Sequence, residues 1–138
     1  MIDEPLVPLP ASGRVFRAGR RVRLADVDPT GRLRLDACAR YLQDIGNDDT
    51  ADSGIDDDRF TWVVRRAVYD VHRPPRWREW VDEATWCGGL GGRWAERRMS
   101  MVGDRGGRVE ISRLWVHVEV ATMAPARLTP EFLDVYGE

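Results

Sequence analysis

The sequence contains no lysine; all 21 basic residues are arginine. We read this as the codon bias of a G+C-rich genome, although arginine clusters can still bind phosphate or acidic partners. Cysteine is scarce. Cys38 and Cys87 are the only two and lack metal-type spacing, so a reduced cytoplasmic protein is the default expectation. No apolar run approaches the ~18 residues of a membrane span, so no membrane-spanning helix is expected. The first residues are acidic and proline-punctuated, with no basic region and no apolar core behind it, so no signal peptide is expected. Charge of either sign is not in excess. A formal net charge of -2 argues against a nucleic-acid binder driven by bulk charge.

What is present fits one domain. The 138 residues can bury a sizeable core, and no repeat or linker divides them. Residues 1–12, with Pro5, Pro8 and Pro10, read as an extended arm. Val15 to Leu24 reads as a strand, with Val22 and Leu24 on one face. Apolar residues at Leu35, Cys38, Ala39, Leu42 and Ile45 give a helical period from about Leu35 to Asn47, with Asp36 as N-cap. Residues 47–58 read as a solvated acidic loop; the aspartate spacing excludes an EF-hand, and no metal site is expected. Strand-like runs follow at Phe60–Val71, Trp80–Cys87, Arg93–Val102 and Arg108–Ala121. The last carries Leu114, Val116, Val118 and Val120 on one parity and Val109 and Ile111 on the other, which predicts a bulge near Ser112 or Arg113. Thr129-Pro130-Glu131 reads as the start of a short final helix. A strand, a long helix and four antiparallel strands give an α+β layer fold, a five-stranded antiparallel sheet wrapped around one central helix.

The stretch around which the rest is arranged is Asp26-Val27-Asp28-Pro29-Thr30-Gly31. Two carboxylates precede a turn that opens into a helix N-terminus, whose free N–H groups and partial positive charge suit a developing oxyanion. This motif, with Arg40-Tyr41-Leu42-Gln43-Asp44 behind it, resembles the hotdog-fold thioesterases of the 4-hydroxybenzoyl-CoA type, D-x-D-P-x-G. Further on, Trp62-Val-Val-Arg-Arg66, Val71-His-Arg-Pro74, Thr85-Trp-Cys87, Gly91-Gly-Arg-Trp94 and Leu114-Trp-Val-His117 resemble the first half of acyl-ACP thioesterases. The resemblance covers roughly Val15 to Tyr136.

It implies a hotdog fold, activity on acyl-CoA or acyl-carrier protein, no cofactor, and a homodimer or homotetramer that pairs sheets in the cytoplasm, away from membranes and nucleic acids. It puts Asp28 in the position of the catalytic carboxylate, with the backbone near Leu35 and Asp36 holding the thioester oxygen and Asp26 structural. Two alternatives stand beside this. The chain resembles a half that shapes the acyl site without doing the chemistry, because the D-x-N-x-H motif of the second half is absent. A hotdog dehydratase is weaker, since no histidine falls near the helix. Among the tryptophans, Trp62 is the expected wall of an acyl tunnel. Arg65, Arg66, Arg73, Arg76, Arg78, Arg93, Arg97 and Arg98 are dense enough to dock a phosphopantetheine phosphate or an acidic carrier. Cys38 reads as core. The glycines at 88–92 lack the Lys-Ser/Thr of a phosphate loop and read as a turn.

Overall fold

The computed structural model describes residues 13–137; the arm expected over residues 1–12 lies outside them. Strand β1 (Val15–Arg21) leads through a 3-10 turn (Leu24–Asp26) into helix α1 (Leu35–Ser53). Strands β2 (Phe60–Arg73), β3 (Trp80–Leu90), β4 (Trp94–Gly103) and β5 (Arg108–Glu119) follow, and then a short helix α2 (Pro130–Tyr136). The five strands form one antiparallel sheet in the order β1-β3-β4-β5-β2. With α1 laid across its inner face, this is the hotdog fold.

The apolar stripe of α1 drives that packing. Ala37, Cys38, Tyr41, Leu42 and Ile45 are buried against Val81, Met99, Met101, Val109 and Ile111 of the sheet. Burying such side chains contributes roughly 1.5–3 kcal/mol each before chain entropy is counted. Among the described residues no helix is long and apolar enough to cross a membrane.

The structure corrects four local expectations. Helix α1 begins at Leu35 with Arg34 as N-cap, so Asp36 is an in-helix residue and not the cap. The helix also runs on to Ser53, through most of the expected acidic loop. Its last turns are held by Asp49, which is buried and ion-paired, and Gly54 then ends it in the left-handed conformation, φ 76°. Strand β1 stops at Arg21: Val22 turns inward while Leu24 is exposed, so the two do not share a buried face. Finally, β5 carries no bulge at Ser112 or Arg113. Its pairing with β4 is unbroken, and the irregularities lie on β2, between Val64 and Arg66 and between Val71 and Arg73. Both parities of β5 are apolar because both faces of this strand are partly covered. The final helix is as expected: Thr129 Oγ1 accepts from the Phe132 N–H at 3.2 Å and Pro130 opens the first turn.

Candidate active site

The D-x-D-P-x-G stretch is a tight, self-contained turn. Asp28 Oδ1 accepts from the Thr30 hydroxyl (2.6 Å), the Thr30 N–H (2.8 Å) and the Arg32 N–H (3.1 Å). Gly31 sits at φ 83°, where a side chain would be strained. These bonds, the Thr30 hydroxyl first and the Arg32 N–H next, hold the Asp28 carboxyl below its ordinary range, so it is ionised at neutral pH.

Asp26 is 6 % exposed and anchors the turn to the helix: it accepts from Tyr41 Oη at 2.7 Å and pairs with Arg40. Its backbone oxygen takes the Arg34 N–H. Leu35 and Asp36 lie exposed in the first turn of α1. Asp36 is paired with Arg34 (2.9 and 3.3 Å), which lowers its pKa, and Arg34 also donates to the carbonyls of Ala25 and Val27. The arginine thus stitches the Asp28 turn to the start of the helix.

A cavity of about 300 Å³ opens at the other end of α1, at the small end of the usual range for ligand pockets. Its walls come from α1 (Leu42, Gly46), the sheet (Trp62, Ala95, Trp115) and α2 (Phe132). Trp62 lies on the wall of this cavity, with its ring 5.2 Å from Phe132 and 4.8 Å from His117. Asp28, Leu35 and Asp36 do not line this cavity. The site residues picked from the sequence therefore fall into two places, the turn with the helix start, and Trp62 in the apolar cavity.

Sequence reasoning missed the polar end of the cavity. Asp49 is 1 % exposed and accepts from Arg14 Nε (2.7 Å), Arg97 Nη1 (3.0 Å) and Tyr136 Oη (2.7 Å). Arg113 donates to Tyr69 Oη and the Ala39 carbonyl. Gln43 and Asn47, one helical turn apart, bond each other at 3.1 Å on the rim. The only available signal for Asp49 was its fit to the helical stripe, seven residues after Leu42. Cys87 touches the cavity, but burial raises its thiol pKa and its sulfur donates to the Gly89 carbonyl, so it is no thiolate nucleophile. Cys38 is core, its pKa pushed up to about 11 by burial. His117 is buried, with Nδ1 3.1 Å from the Ala126 carbonyl. His72 lies on the opposite face of the sheet, between Asp70 and Glu110.

One helix across a five-stranded sheet, with an apolar cavity beside the helix, defines a class, and comparison with known proteins gives the family. The sequence model of the acyl-ACP thioesterase N-terminal domain matches residues 13–136, and the chain belongs to that family. An uncharacterized protein of Mycobacterium tuberculosis is 35% identical over 136 residues, 99% of this chain and 54% of its own length. The chain thus spans about half the length of the curated relatives it matches. Among solved structures, the 12:0-ACP thioesterase from Umbellularia californica is 22% identical with a TM-score of 0.79, covering 94% of this chain and 55% of that one. An acyl-ACP thioesterase from Bacteroides thetaiotaomicron has a TM-score of 0.80 at 18% identity, over 90% and 54% of the two chains. A 1,4-dihydroxy-2-naphthoyl-CoA thioesterase from Synechocystis has a TM-score of 0.79 at 11% identity, over 89% and 96%. These likenesses show the fold.

Proposed function

We propose that the chain serves the hydrolysis of acyl thioesters carried by acyl carrier protein or CoA, and that its share is to hold the acyl chain. The observation that carries this is the cavity: apolar and aromatic walls and one polar end, with its one lining carboxylate, Glu96, already taken up by Arg98 and the Ser112 hydroxyl among the described residues. The family match supports the thioester as substrate. In this reading residues 1–138 form one hotdog unit that pairs with a second. The sheet ends in two edge strands, β1 and β2, and of these β2 carries Val63 and Val64 exposed along it. A homodimer or homotetramer satisfies that edge. Both cysteines are free, which suits the cytoplasm.

A second reading has the chain hydrolyse the thioester itself. It is favoured by Asp28 having its hydrogen bonds on Oδ1 alone among the described contacts, which leaves Oδ2 for attack on a carbonyl or for activating water. There, the N–H groups at Leu35 and Asp36 hold the oxyanion.

Two measurements on the purified chain decide between them. Dodecanoate binding is expected in the wild type and roughly tenfold weaker in Trp62→Ala, about 1.4 kcal/mol. Unchanged binding removes the cavity from the argument. Hydrolysis of a thioester panel that falls roughly 10²-fold in Asp28→Asn establishes the second reading. Hydrolysis equal in both proteins ends it.

A further inference from the structure

The acyl cavity is one of a chain of three hollows. Asn47 lies on its rim and also on the rim of a polar groove along β1, lined by Ala18, Arg20, Ile45, Trp80 and Glu83. That groove shares Arg21 and Arg23 with a third hollow, which adds Trp77, Arg78 and Arg105. Each hollow has a different chemistry.

The third is an arginine cluster. Arg21, Arg23, Arg78 and Arg105 surround it and no carboxylate lines it. The ion pairs found among the described residues go to other arginines. The cluster is built rather than incidental. Glu79 is 1 % exposed, and its carboxylate accepts the N–H groups of Arg76, Arg105 and Gly107. It thereby ties together the two loops that carry Arg78 and Arg105. Gly103 and Gly107 are where they are because a Cβ at either would strike that carboxylate. Arg78 itself is held at φ 71°, a strained conformation for a residue with a side chain. Arg21 fixes it by donating to its carbonyl at 2.9 Å.

The groove between holds two unsatisfied groups. Glu83 is 4 % exposed and its Oε1 has no hydrogen-bond partner; the Nε of Arg20 is likewise buried without one. Arg20 is otherwise placed, over the Tyr41 ring and 3.0 Å from Asp44. A buried donor and a buried acceptor left open in one groove suit a neutral polar group such as an amide.

We propose that this track is the path of a phosphopantetheine arm, with its phosphate among Arg21, Arg23, Arg78 and Arg105 and its amides at Arg20 and Glu83. The inference rests on the reading of the cavity as an acyl site, which sets its direction. Strand β1 advances about 10 Å from Arg21 back to Ala18 at ~3.3 Å per residue, within the reach of about 16 Å that thirteen bonds from phosphorus to sulfur give at ~1.25 Å per bond. The thioester then falls at Asn47, which lines both the groove and the acyl cavity and stands about 18 Å along α1 from Leu35 at ~1.5 Å per residue. Asp28 stands at the phosphate end instead: Gly31 of its turn accepts the Trp77 N–H at 2.9 Å.

Titration calorimetry with 4′-phosphopantetheine, pantetheine and dodecanoate tests this without any turnover. Phosphopantetheine should bind the wild type roughly tenfold or more tighter than pantetheine, the worth of a charge-assisted phosphate contact. The double variant Arg23→Ala/Arg105→Ala should erase that difference and leave dodecanoate binding intact. Glu83→Leu should weaken pantetheine and phosphopantetheine alike. CoA and holo acyl carrier protein present the same arm, and binding of either that the double variant loses supports the track and shows which carrier it accepts. The proposal is overturned if phosphopantetheine does not bind at millimolar concentration, binds no better than pantetheine, or binds the double variant as it binds the wild type. Failure of dodecanoate alone sinks the acyl reading of the cavity and leaves the phosphate site standing.

Discussion

Tyr136 and Asp49 are 87 residues apart in sequence, yet the phenol donates to the carboxylate at 2.7 Å. This bond ties the last turn of α2 to α1 beside the cavity that Tyr136 lines. It also lets a helix with no buried residue of its own stay seated. Arg14 and Arg97 complete the shell around the same carboxylate.

Two substitutions separate the contributions to that shell. Tyr136→Phe removes one hydrogen bond and should cost about 1 kcal/mol. Asp49→Ala strands two arginines against a buried space and should cost about 3 kcal/mol or more. Urea melts of both variants give the comparison; equal losses would show that the arginines find water instead.

Glu83 predicts a pH dependence of stability. Burial raises its pKa to about 7 from 4.5, with Arg20 opposing and Asp44 and Asp48 adding to the rise. A carboxyl with a raised folded pKa binds its proton more tightly in the native state. Stability from this group is therefore highest below the unfolded pKa, falls as pH rises from about 4.5 to about 7, and is flat above. The loss is on the order of 3 kcal/mol, at about 1.4 kcal/mol per pKa unit. Glu83→Gln should flatten that part of the profile in melts taken across the range. A wild-type stability that rises through the window would refute the assignment.

Gly46 faces the cavity from α1, and a Cβ there would stand 3.6 Å from the Arg97 side chain, an ordinary contact. Gly46→Ala should therefore stabilise the helix by up to ~1 kcal/mol. Gly46→Leu should fold but fill the cavity, and the longest fatty acid that binds should become shorter by several carbons. A chain-length series titrated against the two proteins reads this directly, and identical series would move the acyl chain elsewhere.

Leu42 is 1 % exposed on the apolar stripe. Leu42→Asp puts an unpaired charge against the sheet and should unfold the domain. A circular dichroism melt unchanged from wild type would contradict the packing of α1.

The sequence by itself determined the elements and the way they stack. A 3.6-residue stripe at Cys38, Leu42 and Ile45 needs a second layer to bury it, and the strand runs and turn signals that follow supply an antiparallel sheet, whereas Leu35, read into the same stripe, is exposed. Thr129-Pro130 marked the last helix. The tertiary structure decided what local pattern cannot carry. Asp49 reads as one more acidic loop residue until Arg14, Arg97 and Tyr136 arrive from distant parts of the chain to make its burial tolerable. Asp28 and Trp62 look like parts of one site until the helix between them sets them at opposite ends. Arg21, Arg23, Arg78 and Arg105 are scattered in sequence, and they become one cluster only because Glu79 draws their loops together. Charge compensation and the convergence of loops act through space, between partners that sequence spacing does not record.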